Sequence, residues 1–373
     1  MACRDRHMTF RLLCKECNKN YPINTSQWKC DFCRRPLNLV TELPRADRFD
    51  QLTDKSERGL WRYKRLLPFS EDPVTLGEGN TPIVEMKSEG VFLKLEYFSP
   101  TGSFKDRGAA VSLSRAKWIG VKSIVEDSSG NAGIAAAAYA AKANIRARIY
   151  VPKDAPLPKR LIIHACGADV VECDSRKEAS TRAVNELKEN ELYIGHTWDP
   201  FYIEGMKTAA YECFESGFVP DVVVTPVASG TLFLGLYKGF LELNEMGFLD
   251  KIPAFYAVQG EGCAPVYEAV HGPAQRIKGS SLADGLRIDD PPRKEEILKV
   301  LRKTSGDVFT VNDDEIIDAL KDLYKKGIIV EPTSATVYAA FKKANDLKNK
   351  RVLIPMTGTG IKTVDKISKL FIL

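Results

Sequence analysis

Between residues 122 and 190 the chain alternates short, mainly apolar runs with stretches whose apolar positions recur at helical spacing. The runs VKSIVED, IRARIYVP and ADVVEC are separated by GNAGIAAAAYAAKA, by a helical stretch near 157–166 and by another after Ser175, which predicts a βαβαβα series. A helix near 204–217, the run DVVVTPV, a helix after Thr231 and the run AFYAVQG extend the pattern. A helix at 313–326, one after Ser334 and the run RVLIPMTG close it. Strands that are apolar throughout are covered on both faces, so the expected class is α/β, with open parallel sheets between layers of helices. Ligands of such sheets sit beyond the carboxyl ends of the strands. This chain places its glycine, serine and threonine clusters there.

With 373 residues the chain exceeds one core, and two lobes plus an extra module are expected. The module is residues 10–40, where Cys14 and Cys17 form one CxxC and Cys30 and Cys33 a second, separated by residues 18–29. Two such knuckles suit the tetrahedral thiolate shell of a structural zinc, and so short a segment has too few apolar residues to fold without one. An all-cysteine shell leaves no coordination position for chemistry, so this zinc ribbon reads as separable from the rest. A charged linker is expected over 41–75. The larger lobe is expected to comprise 41–115 and 215–373, and the smaller one 116–214.

Composition narrows the partners. Hydrophobic residues at 44% and charged residues at 28% are ordinary for a globular chain, and no run approaches the roughly 20 apolar residues of a membrane helix. The start carries positive charge but no apolar core or cleavage site, and nine cysteines without a secretory signal point to a reducing, cytoplasmic setting. A net charge of +5 spread over the length does not call for nucleic acid; a small anion would be attracted as well.

Four turns carry the candidate chemistry. In SPTGSFKDRG (99–108), Pro100 and Gly102 make a turn and Ser103 is the expected N-cap of a helix bearing Lys105. That lysine either lies on a solvated face or, in a dry pocket, holds an aldehyde cofactor as a Schiff base. In EDSSGNAGI, Ser128, Ser129, Gly130 and Asn131 precede an alanine-rich helix and form either an anion cradle or a plain helix cap. In TPVASGTLFLG, Ala228, Ser229, Gly230 and Thr231 let backbone amides approach a phosphate, and the lack of a following lysine argues against a nucleoside triphosphate. Thr357 ends the last run in IPMTGTGIK, placed to meet a heteroaromatic nitrogen or to cap a turn.

Taken in order, SPTGSFKDRG, GEGNTP (77–82), SSGNAG, PVASGT and TGTGIK resemble the fold type II pyridoxal phosphate enzymes, and within them the threonine synthases, whose QGEGCAP, VEPTSA and cysteine-ribbon segments also have counterparts here. The resemblance implies two open parallel-sheet lobes, pyridoxal 5'-phosphate held by Lys105, Asn131 on its ring hydroxyl, residues 228–231 on its phosphate, and Thr357 at its pyridine nitrogen. It further implies a small amino-acid substrate contacted by Ser103, Ser128, Ser129, Ala132, Tyr202 and Lys207, a homodimer, and conversion of O-phosphohomoserine and water to threonine and phosphate. A serine or threonine ammonia-lyase, or a β-replacement synthase, is the alternative. The chain departs from the threonine synthase pattern at Ala132, where a hydroxyl residue is usual. In WDPFYIEGMKT, Tyr202 stands where an arginine for the substrate phosphate is expected, and Asp199 stands for an asparagine, adding a charge expected to repel that phosphate.

Overall fold

The computed structural model describes residues 9–273, 282–368 and 370–371. At the N-terminus β1 (Phe10–Cys14), β2 (Lys19–Tyr21) and β3 (Asn38–Thr41) form an antiparallel sheet in the order β2-β1-β3. Strands β4 (Ile83–Met86) and β5 (Val91–Lys94) follow as an antiparallel pair, then helix α1 (Lys105–Trp118). Next come β6 (Ser123–Glu126), α2 (Asn131–Lys142), β7 (Arg146–Pro152), α3 (Leu157–Ala165), β8 (Asp169–Cys173), α4 (Arg176–Asn185), β9 (Glu191–Tyr193) and α5 (Pro200–Glu215). The chain continues through β10 (Val222–Pro226), α6 (Thr231–Glu245), β11 (Ala254–Gly260), α7 (Pro265–His271), α8 (Lys294–Thr304), β12 (Val308–Val311), α9 (Asp313–Lys325), α10 (Pro332–Lys343) and β13 (Val352–Pro355).

Two sheets organise these elements, one ordered β8-β7-β6-β9 and wholly parallel, the other β12-β11-β10-β13-β5-β4 and parallel up to its β4 edge. The expected alternation is present. The hairpin β4–β5, strand β12 and helices α7 and α8 were not anticipated. Helix α10 begins at Pro332, two residues before the expected Ser334, because proline suits a first helical turn.

The stretch 41–75 is not a linker. Residues Phe49–Leu52 and Gly59–Leu66 form 3-10 turns that bury Phe49, Leu60, Trp61, Tyr63 and Leu66 in the main core. Leu60, Tyr63 and Leu66 recur every three residues between Arg58, Arg62, Lys64 and Arg65, and the exposed charges hide the apolar stripe from a reading by composition. Trp61 donates through Nε1 to the buried Glu78 carboxylate at 3.0 Å, which also accepts from Tyr139 at 2.7 Å. The GEGNTP turn is thereby fixed to the back of α2.

Close helix contacts place the cleft. Helices α1 and α5 approach until a Cβ on Gly205 would lie 1.9 Å from the Arg107 carbonyl, and one on Gly108 would lie 1.9 Å from the Tyr202 ring. Between them Arg107 is fully buried, bonded through Nε to Glu96 at 2.7 Å and through Nη1 to Glu212 at 2.6 Å. The carboxyl ends of β6, β10 and β13 open onto the turns that lead to α2, α6 and residues 356–360.

Candidate active site

The turn that precedes α1 is pinned to the turn that follows β13. Ser103 forms a β-bridge with Gly358, and the Phe104 amide donates to the Thr357 carbonyl at 3.0 Å. Ser103 is not the N-cap: Phe104 holds that position in helical geometry, and the Ser103 hydroxyl is buried with no hydrogen bond. Asp106 braces the turn instead, accepting from the Thr101 amide at 2.6 Å, while burial pushes its carboxyl up to about 7. Lys105, the first residue of α1, is half-buried with its ammonium over the Phe104 ring at 4.7 Å. Burial lowers its pKa to about 8, against the pull of Glu126 and Glu331, so about a tenth of the amine is neutral and nucleophilic at pH 7, far more than of an ordinary lysine.

Asn131 begins α2 and donates through Nδ2 to both Glu331 oxygens, at 3.0 and 3.1 Å. Gly358 is necessary to this arrangement, because a Cβ there would lie 2.3 Å from Glu331 Oε1. Thr357 is buried, with Oγ1 2.8 Å from Ser334 Oγ, which itself accepts from the Gly358 amide at 2.9 Å. After β10, Gly230 takes φ +81°, a left-handed conformation that favours glycine, and starts the fifteen-residue α6 with Ser229 Oγ and Thr231 Oγ1 3.3 Å apart. Ala228 stands just ahead of this turn. Ser128 Oγ accepts from the Gly130 amide at 3.2 Å, Ser129 is half-buried beside it, and Ala132 is buried.

Buried polar atoms that make no hydrogen bond among the described residues include Ser103 Oγ, Asn131 Oδ1 and Tyr202 Oη. Native interiors seldom leave such groups unpaired, and here they accompany a half-buried primary amine, a hydroxyl pair and a glycine-opened helix start.

Two expectations about charge are corrected. Lys207 does not reach the turns: its ammonium is buried between Glu204 at 2.7 Å and Glu242 at 3.0 Å, on the side of α5 that packs against α6. Asp199 does not present a free charge to an anion. It caps α5 through the Phe201 amide at 3.1 Å, accepts from Ser112 at 2.6 Å and pairs with Arg115 at 3.6 Å. Tyr202 is fully buried against Gly108, its ring centroid 6.1 Å from that of His196.

Sequence reasoning missed Glu126, His196 and Glu331. Glu126 ends a strand whose four residues are all buried, and a carboxylate there was the available signal. Glu331 lies within VEPTSA; nothing in the sequence marks His196.

In the ribbon the four thiol sulfurs of Cys14, Cys17, Cys30 and Cys33 lie within 4.8 Å of one another, a cluster able to hold a metal ion. The module is not separable. Arg115 donates to the carbonyls of Thr25 at 2.6 Å and Gln27 at 2.9 Å, and Arg293 joins the Leu37 carbonyl at 2.8 Å to that of Trp198 at 2.9 Å. Trp28 packs on Tyr193 and Trp198 with centroids 4.7 and 5.2 Å away.

An α/β chain with parallel sheets and an activated lysine among serine, threonine and asparagine turns defines an enzyme that works through a carbonyl cofactor. The chain belongs to the pyridoxal-phosphate dependent enzymes, whose family model matches residues 74–358. It is similar to the threonine synthase of Methanocaldococcus jannaschii, 31% identical over 94% of this chain and 93% of that protein. It is likewise similar to that of Methanosarcina acetivorans, 31% identical over 91% and 87%. Among solved structures it is similar to maize serine racemase, at a TM-score of 0.64 and 25% identity over 78% of this chain and 92% of that one. A fungal L-serine ammonia-lyase from Rhizomucor miehei shares the fold at a TM-score of 0.67, with 20% identity over 80% and 99%. The residues present fit the cofactor. The amine of Lys105 suits its aldehyde, the orphaned Asn131 amide oxygen suits a ring hydroxyl, and the glycine-opened start of α6 suits a phosphate.

Proposed function

We propose that this enzyme is a lyase of the threonine synthase type, converting O-phosphohomoserine and water to threonine and phosphate. The observation that carries the reading is Lys105: a half-buried amine, held near pKa 8 between two carboxylates, where the turns after β5, β6 and β13 meet. Threonine synthases matching nearly the whole chain support it. In this reading Lys105 holds the cofactor, Asn131 bonds its ring hydroxyl, residues 228–231 hold its phosphate, and Thr357, steadied by Ser334, meets the pyridine nitrogen. When bound, pyridoxal phosphate supplies the electron sink that makes the Cα proton removable. Lys105 would take that proton and later return it. A neutral hydroxyl at the pyridine nitrogen limits the sink, which favours elimination and replacement. Ser103, Ser128, Ser129, Ala132 and Tyr202 border the substrate. The ribbon holds one structural zinc, and the enzyme works as a cytoplasmic homodimer.

A second reading, a serine or threonine ammonia-lyase, is favoured by one observation. Arg107, next to the Gly108 that packs on Tyr202, and Lys207, on the same helix as Tyr202, are committed to internal carboxylates and offer nothing to a substrate phosphate. Phosphate release and 2-oxo-acid formation, followed across homoserine phosphate, phosphoserine, serine and threonine, separate the two. Phosphate and threonine in equal amounts from homoserine phosphate are expected. Production of 2-oxo acid from serine or threonine, with homoserine phosphate untouched, establishes the ammonia-lyase instead.

A further inference from the structure

Lys105 serves one carbon of the substrate, and the chemistry above needs a second proton carrier. A C–O bond at Cβ forms in threonine synthesis and breaks in ammonia-lyase chemistry, and oxygen enters or leaves carbon readily only if a proton moves with it. Beside Lys105, at the carboxyl end of β6, stands a buried pair that the roles above leave unused. His196 Nδ1 lies 2.8 Å from Glu126 Oε1, and the His196 backbone amide donates to Glu126 Oε2 at 3.2 Å. The turn is anchored by the Ile194 amide on the Val125 carbonyl at 2.9 Å, so the imidazole and the SSGN turn leave the same edge of one sheet. A carboxylate gripping both the backbone and one ring nitrogen fixes the ring and leaves the other nitrogen to act, as in any pair of base and orienting group. Nε2 makes no hydrogen bond among the described residues, and the side chain keeps 15% of its surface exposed.

We propose that His196, oriented by Glu126, is a catalytic residue that carries the proton of the oxygen joining or leaving Cβ. The proposal rests on the lyase reading of this cleft. In hydration, the O–Cβ bond forms as a water O–H bond breaks. That proton goes to Nε2, the electron pair of the C=C bond moves toward Cα, and Lys105 delivers a proton to Cα; His196 sheds its proton to solvent as product leaves. In ammonia-lyase chemistry the movement reverses. Nε2–H protonates the departing hydroxyl, the Cβ–O bond breaks, water leaves, and a proton held between Glu126 and Nδ1 settles on Nδ1. Burial and the Lys105 charge keep His196 neutral, with its pKa well below the ordinary value, while burial and Asp127 push Glu126 well above its own; the proton they share can therefore sit on Glu126 or on Nδ1 as Nε2 gives up or takes one.

The test is His196→Asn, with Glu126→Gln as its companion, in enzyme loaded with pyridoxal phosphate. With homoserine phosphate, phosphate release should stay within about tenfold of wild type, while threonine formation falls by about 100-fold or more, the range of a lost acid–base group. The stranded unsaturated product then hydrolyses to 2-oxobutyrate and ammonia. With serine, turnover should fall by a similar factor while β-chloroalanine remains a substrate, since chloride leaves without a proton. Equal losses of phosphate release and threonine formation, or of turnover of serine and β-chloroalanine, overturn the proposal, because a merely structural role does not discriminate these steps. A readout independent of turnover is nitrogen NMR of histidine-labelled, cofactor-free protein. The His196 signals should be those of a neutral ring at pH 7 and should change tautomer in Glu126→Gln; signals indifferent to that substitution overturn the pairing. A wild type that turns over none of these substrates defeats the reading of the cleft and this assignment with it.

Discussion

Lys105 owes its chemistry to its neighbours more than to its type. An exposed lysine is almost fully charged at neutral pH and a poor nucleophile; burial lowers this one to about 8, while Glu126 and Glu331 stop it falling further. Capture of the cofactor aldehyde requires the uncharged amine. The rate at which cofactor-free protein regains its visible absorbance on adding pyridoxal phosphate should therefore rise with pH through a midpoint near 8 and level off about a unit higher. In Glu331→Gln one support of the charged form is gone, so the rise should shift to lower pH; an onset near the ordinary lysine value would show that the amine is solvated. At this scale the sequence singled out Lys105, Asn131 and Thr357, because each sits in a turn whose small residues read as unusual. It misled at Lys207, whose type fitted an anion site. Only the fold reveals that Glu204, one helical turn away, and Glu242 on α6 consume its charge.

Among the elements, the ribbon departs most from expectation. Its cysteine spacing was legible, since a thiolate shell is a local constraint, whereas its docking was not, since Arg115 and Arg293 reach it from 90 and 256 residues away in sequence. Both arginines also touch the segment that carries His196 and Asp199, Arg293 through the Trp198 carbonyl and Arg115 through Asp199 itself. Metal analysis should find about one zinc per chain. Cys14→Ser should release the metal, disturb the aromatic circular dichroism of Trp28 and Trp198, and slow turnover while Lys105 still captures cofactor. Unchanged aromatic signals with the metal gone would mean that the docking does not depend on it. The hairpin β4–β5 and the 3-10 turns of 49–66 escaped prediction for a related reason. Their apolar residues are few and interleaved with charge, and they become core only in the fold, the turns against α5 and the hairpin beside β13.

For the molecule as a whole, a cluster of charge is buried where the six-stranded sheet meets α1 and α5. Lys94 and Glu96 follow from the six-stranded sheet, Arg107 from α1 and Glu212 from α5, and every one of these side chains is at most 5% exposed. Such a cluster contributes little net stability when complete, but removing one partner strands the others. Arg107→Met leaves Glu96 and Glu212 facing Lys94 alone and should cost about 3 to 5 kcal/mol, read as a lowered denaturant midpoint. A midpoint within error of wild type would show that water enters the cluster. The alternating pattern announced both parallel sheets because strands buried on two faces read as unbroken apolar runs. No periodicity specifies that β5 inserts beside β13, or that turns from both sheets converge on one amine.

That convergence is the central claim, and chemical trapping tests it most directly. Borohydride reduction of the protein loaded with pyridoxal phosphate, followed by proteolysis and mass spectrometry, fixes the cofactor to whichever amine holds it. One phosphopyridoxyl group per chain, on the peptide containing Lys105 and absent from Lys105→Ala, is the predicted result; a label on Lys159, Lys362 or another lysine, or none at all, would contradict the account.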